Sequence, residues 1–188
     1  MNDLTKYYQV RGLMAIGDGI SFKGTNCISG AISFFTRQER THWGNVGDWV
    51  MFSGTQKHKL PLFEAAQGEY NIRSLSKKLM FYEGEVYWHQ LKAEFNEWRI
   101  NMWRKMWEMV GIKYDYKALF ANILGRKSID SKKLFCSEAG GIIALEIPQI
   151  ALLKYSNDLY LTALLNGKAL RPGGMAMLPI WEKEVRLI

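Results

Sequence analysis

The sequence predicts an α+β fold rather than an alternating βαβ series. Three observations carry this. Strand-like runs follow one another over residues 43–52, 59–66 and 79–88 with no helical pattern between them. A long stripe of helical period runs through residues 89–111. The small apolar run Ala139-Gly140-Gly141-Ile142-Ile143-Ala144-Leu145 stands directly behind Cys136 and reads as a buried helix. At 188 residues, the chain is long enough for one well-cored domain and short for two, so residues 1–188 are read as a single domain.

Each element has a local reason. Ile16-Gly17-Asp18-Gly19-Ile20-Ser21-Phe22 reads as a turn feeding a short strand, and Gly24-Thr25-Asn26 as the cap of a helix whose apolar residues are Ile28, Ala31, Ile32 and Phe35. The 43–52 strand carries a gap at Gly47-Asp48, and Ser53-Gly54-Thr55-Gln56 suggests a hairpin into the next strand. Leu91, Phe95, Trp98, Met102, Met106 and Met109 follow steps of three and four, and Gly111 closes the helix. Lys113-Tyr114-Asp115-Tyr116 is expected as a loop, residues 118–124 as a short helix and 125–133 as a basic surface loop. The helix behind Cys136 must end before Pro148. That proline can open a further helix over 149–165, interrupted at Ser156-Asn157-Asp158 and stopped by Asn166-Gly167. Arg171-Pro172-Gly173-Gly174 reads as a turn, with a short apolar segment over 175–180.

Composition excludes several classes. Hydrophobic residues make up 48% and charged residues 23%, ordinary for a globular chain. Two cysteines do not make a disulfide framework. The N-terminus has an acid, Asp3, and no apolar core of a signal peptide, and no run of about 18 apolar residues exists to span a membrane. The expectation is the cytoplasm, or delivery without a signal peptide of its own, as in a phage-associated protein. The net charge of +7 favours anionic partners such as a membrane surface or a cell-wall polymer. The basic residues are scattered, with Lys77-Lys78 and Lys132-Lys133 the only lysine doublets, so the continuous face that nucleic acid needs is not expected. No GxGxxG or Walker-type loop points to a nucleotide, and no CxxC or HxxxH pair points to a metal, so neither cofactor nor metal is expected.

The residues that bear chemistry are few. Cys136 heads its helix, where the dipole favours a thiolate; it is either a nucleophile or a small buried hydrophobe. A nucleophilic cysteine needs an imidazole, and His42 lies just before a strand-like run. His58 and His89 compete with it but read as solvated positions. Glu64 follows Leu62-Phe63 and precedes Ala65-Ala66. A carboxylate there is costly unless it is paired, faces a cleft or sits on a solvated strand face, and paired it could fix the tautomer of a histidine. Cys27 also lies near a helix start, but Ile28 and Ile32 make it a packing residue.

Taken in order, Gly17-Asp18-Gly19-Ile20-Ser21-Phe22, the 28–36 helix, Thr41-His42-Trp43-Gly44, Phe63-Glu64-Ala65, Tyr114-Asp115-Tyr116 and Phe135-Cys136-Ser137-Glu138 resemble the permuted papain-like cysteine hydrolases, the circularly permuted branch of the NlpC-like superfamily. The resemblance covers about residues 16–145, with Pro172-Gly173 to Pro179 resembling the family's closing segment and a C-terminal helix between, over 148–188 in all. It implies a papain-like core in which a helix carrying the nucleophile packs on an antiparallel sheet carrying the histidine, with histidine before cysteine in the chain. It implies Cys136 as nucleophile, His42 as base and Glu64 as the third polar residue, with Tyr114 beside the nucleophile as an oxyanion donor. Trp43 departs from the aliphatic residue usual there and is expected to narrow the groove. The function implied is a cysteine hydrolase of an amide or ester, on a peptide, cell-wall or lipid acyl substrate. An acyltransferase with the same triad, and a non-catalytic binding or host-interaction module on the same fold, are the alternatives.

Overall fold

Alternation along the strands builds a sheet with two apolar faces. The computed structural model describes residues 1–24, 39–51, 58–66, 68–114, 133–134, 136–168 and 170–188. In β1 (Gly19–Gly24), Ile20 and Phe22 point to one face, where they join Val46 of β2 (His42–Val46), Leu62 of β5 (Pro61–Ala66) and Val86 of β7 (Gly84–His89). The intervening residues Trp43, Phe63 and Ala65 belong to the apolar cluster on the other face. The strand order is β10-β7-β1-β2-β5-β6-β8-β9, where β6 is Glu69–Ser74, β8 Lys113–Tyr114, β9 Lys133–Leu134 and β10 Val185–Arg186. Pairing is antiparallel from β10 to β8, and only β8 and β9 run parallel. A separate two-stranded antiparallel ribbon joins β3 (Val50–Met51) to β4 (His58–Lys59), as the expected hairpin requires.

Helices cover both faces, so the fold is α+β. Tyr7 of α1 (Thr5–Val10) and Leu75 and Leu79 of α2 (Leu75–Phe81) close the Ile20/Phe22 face. The other face is closed by Met102, Met106 and Met109 of α3 (Arg99–Met109) and by Ala139 and Ile143 of α4 (Cys136–Ala144). Leu152 of α5 (Gln149–Leu152), Leu161 and Leu164 of α6 (Leu159–Leu165), and Met175 of α7 (Pro172–Ala176) complete it. Beneath this face, buried Asp18 accepts hydrogen bonds from the Ala15 and Leu91 amides, the Trp88 indole and the Arg99 guanidinium. One carboxylate thus ties β1, β7 and α3 together.

The helix behind Cys136, the break at Gly47-Asp48 and the break before Asp158 lie where the sequence puts them. Asp158 caps α6 by accepting from the Leu161 amide at 2.8 Å. Other elements differ. Residues 79–81 end a helix rather than open a strand, because Leu75 and Leu79 are spaced to bury one helical face. The strand itself begins at Gly84, whose φ of 140° ends the turn. The 89–111 helix begins only at Arg99, after a 3-10 turn over Ala93–Trp98, and Leu91 is instead bridged to Trp181. Pro172–Ala176 is a short helix with proline in its first turn, not a turn alone. The expected 113–116 loop opens as β8. The α1, β6 and β10 elements had no counterpart in the sequence reading. The helix expected after Gly24, the one over 118–124 and the basic loop up to 132 lie outside the described residues, as does Cys27.

The joint between α4 and the sheet is set by three residues. The Trp43 indole is fully buried between Gly19 and Gly140. A Cβ added at Gly140 would stand 2.4 Å from Trp43 Cδ1, and one at Gly19 would stand 2.3 Å from its Cζ2. The ring is therefore clamped on both sides. Gly140→Ala gains about 1 kcal/mol of helix propensity. The overlap with a ring that cannot retreat costs about 1–3 kcal/mol. We expect net destabilisation, read as a lower urea midpoint; a higher midpoint would show that α4 does not rest on Trp43.

Candidate active site

The sheet register brings histidine and carboxylate together. Gly44 of β2 lies opposite Glu64 of β5. His42, two residues back on the same face, therefore meets Glu64 on the diagonal. His42 Nε2 lies 2.7 Å from Glu64 Oε2. Glu64 is fully buried, a placement that only partners make tolerable. It has them: Lys78 Nζ from α2 donates to both carboxylate oxygens at 3.0 and 3.1 Å, and Arg73 Nε from β6 stands 3.5 Å away. Burial pushes the Glu64 carboxyl up, but His42 and Lys78 outweigh it and hold it down at about 2.

Helix α4 presents the sulfur from the other side. Cys136 is its first residue, and the Cys136 side chain hydrogen-bonds the His42 ring. Glu64 occupies Nε2, so Nδ1 is the nitrogen left for sulfur. The sulfur also receives the backbone amides of Trp43 and Ser137, one from the strand and one from the helix start. Strand β5 pairs with β2 only from Gly44 to Val46, so the Trp43 amide lies where that ladder has opened. Burial opposes a thiolate, yet the His42 charge and these two amides outweigh it and lower the Cys136 thiol. Burial likewise opposes the imidazolium, and the neighbouring Cys136 sulfur and Glu64 carboxylate raise His42 to about 9. The charges favour a thiolate–imidazolium pair backed by a carboxylate. Cys136 is 3% exposed, while the His42 side chain is 18% exposed and forms the open edge of the pair.

The other expected residues fall differently. Trp43 does not narrow a groove: its indole is sealed into the core, and what it brings to the site is its backbone amide. The pleat explains this, since adjacent residues of a strand face opposite sides and His42 takes the site face. Tyr114 enters through its backbone, paired in register with Leu134 two residues before Cys136; its side chain lies outside the described residues. His89 is not solvated but buried, with Nε2 2.8 Å from Ser21 Oγ. Burial, with Arg40 nearby, pushes it down to about 3, so it is neutral and cannot compete with His42 as a charged partner. The His58 side chain lies outside the described residues. Lys78 is the site residue that the sequence reading missed. Its signal was the Leu75/Leu79 spacing, which identifies the helix that carries it.

No family model matches the sequence, and no curated protein matches it. A solved structure does resemble it: the metalloprotein YiiX from Escherichia coli O157:H7, a DUF1105 protein. The likeness is one of fold. The two share 16% identity with a TM-score of 0.62, over 92% of this chain and 96% of that one. Among the described residues, no three His, Cys, Asp or Glu side chains converge as a ligand set. Glu64 is committed to His42, Lys78 and Arg73, and His42 Nε2 to Glu64. These residues do not fit a metal. No single helix among the described residues is long and apolar enough to cross a membrane.

Proposed function

We propose that this protein is a cysteine hydrolase, built on a circularly permuted papain-like core, that cleaves an amide or ester through an acyl-enzyme. The observation that carries the reading is the His42 ring held between two partners, Glu64 on Nε2 and the Cys136 sulfur on its other side. A structural histidine needs no such pairing with a helix-start thiol. The chemistry follows from the charges. The Cys136 thiolate, stabilised by the Trp43 and Ser137 amides, attacks the carbonyl carbon. The protonated His42 gives its proton to the departing nitrogen or oxygen as that bond breaks, leaving a thioester on Cys136. Neutral His42 then takes a proton from water, whose oxygen attacks the thioester carbonyl. The acid leaves, and the proton returns to the pair. Glu64 keeps the ring oriented and stabilises its charged form throughout. Substrates of this class include peptide and cell-wall amides and lipid acyl groups. The carbonyl has to enter along the His42 edge.

The test is labelling by an acyl-mimicking, thiol-reactive probe. Wild-type protein is expected to be modified at Cys136 and Cys136→Ser is not. His42→Ala should react on the order of 100-fold more slowly or less. Equal rates in wild type and His42→Ala would remove the dyad and the reading with it.

A further inference from the structure

A cleft of about 660 Å³ lies against the Glu64 network, lined by Arg73, Lys77, Lys78, Phe81, Tyr82 and Glu83 among others. Its size is that of a site for a small molecule or a headgroup. Three of these side chains are cations and one is a carboxylate. Like charges crowded in one concavity repel, and long side chains relieve this by swinging into water. Two of these cannot do so freely. Lys78 is pinned to both oxygens of Glu64, and Arg73 Nε stands 3.5 Å from the same group. Glu64 is buried and shared with His42, so it neutralises Lys78 only in part. Lys78 has three donors and directs two to Glu64. Lys77 is exposed, with no ion-pair partner among the described residues. Phe81, at the same cleft, is 63% exposed. Fixed cations beside a bare aromatic ring match a dianionic group attached to an apolar chain.

We propose that this cleft binds a phosphate group, and that the molecule carrying it is an amphipathic acyl substrate. That the group belongs to the substrate rests on the hydrolase reading; that the cleft holds a phosphate does not. The wall of the cleft is one residue removed from catalysis, because Lys78 bonds Glu64 and Glu64 bonds His42. A lipid headgroup and a soluble phosphomonoester present the same chemistry here.

Binding separates them without any turnover. The full-length protein is titrated with inorganic phosphate and, separately, with vesicles of phosphatidylcholine with or without phosphatidic acid, whose headgroup is a phosphomonoester. Wild type is expected to bind phosphate and to prefer the anionic vesicles. Each unit of charge near an anionic surface is worth about fivefold, so Lys77→Glu, a change of two units, should weaken vesicle binding roughly 25-fold. It should weaken phosphate binding as well. Phe81→Ser should weaken vesicle binding and leave phosphate binding intact if the source is a lipid, and change neither if it is soluble; both results support the site. Lys77→Glu protein that binds phosphate and vesicles as wild type does, or wild type that binds neither, overturns it. Alkylation of Cys136 by iodoacetamide in wild type and His42→Ala, with no anion present, reads the thiolate independently. A failure there sinks the hydrolase and leaves the phosphate site standing.

Discussion

Near pH 6, His42→Ala is expected to reduce the thiolate population of Cys136 to a trace, well below that of wild type. An ordinary thiol titrates near 8.5 and is only about 0.3% ionised at that pH. In wild type the charge on His42 and the amides of Trp43 and Ser137 lower the thiol against the pull of burial. Without the imidazolium, burial is left as the largest influence and keeps the proton on sulfur. Ultraviolet thiolate absorbance against pH measures this directly. The two arms of the pair also predict different profiles for two reactions. Simple alkylation needs only the thiolate, so it rises once the lowered Cys136 titrates and stays high. Acyl turnover also needs a proton for the leaving group. It should fall again as pH rises through about 9, where His42 loses its charge. An ordinary thiol titration in wild type, indistinguishable from that of His42→Ala, would mean that the two side chains do not share a proton.

The two sides of that pair were unequally visible in the sequence. Cys136 stands at the head of a nine-residue helix of small apolar residues, so its position follows from local pattern alone. His42 and Glu64 were harder, because what joins them is register. Gly44 opposite Glu64 is a fact of strand pairing across 20 residues, which no local window contains. The resemblance to permuted papain-like hydrolases supplied what the pattern lacked. Where adjacency in sequence was taken for adjacency in space, it misled: Trp43 follows His42 and so faces the opposite side of the sheet. Its bulk was legible, and so were Gly140 and Gly141 as small residues of the buried run behind Cys136, but the link between them was not. Gly140 is small because Trp43 lies against it.

The remaining misses share a cause. Strand β6 carries Glu69, Asn71 and Arg73 at alternate positions, too polar a run to signal a strand locally; pairing with β5 along its whole length makes it one. Residues 79–88 are apolar and short, and such runs do not distinguish strand from helix. Reading them as strand hid α2, and with it Lys78. Leu91 and Phe95 keep the helical step of α3 while lying before it, because both bury into the same cluster from a bridge and a 3-10 turn. Burial alone selects apolar residues; it does not select the backbone that delivers them.

Glu64→Ala is expected to cost about 3–5 kcal/mol of folding stability, the range for removing one partner of a buried ion network. The loss is not that of a single contact. Lys78 and His42 would both keep their charge preference with no carboxylate to meet it, and the fully buried Glu64 site would become a hole beside them. Two companions identify the cause. Glu64→Ala combined with Lys78→Met should be less damaging than the sum of the separate changes, because the second removes a charge that the first strands. Glu64→Gln fills the space but cannot meet two cations, and should fall between wild type and Glu64→Ala. The acid limb supplies an independent sign. Glu64 is held down to about 2 from an ordinary 4.5, so its contribution is whole above 4.5 and disappears as pH falls through about 2. A shift of that size corresponds to about 3 kcal/mol at neutral pH. Wild type should therefore lose stability across that window while Glu64→Gln changes much less. Chemical denaturation at neutral and acid pH measures both. If Glu64→Ala unfolds at the wild-type midpoint, the carboxylate is not what holds β2, β5 and α2 in register, and the orientation of His42 must come from elsewhere.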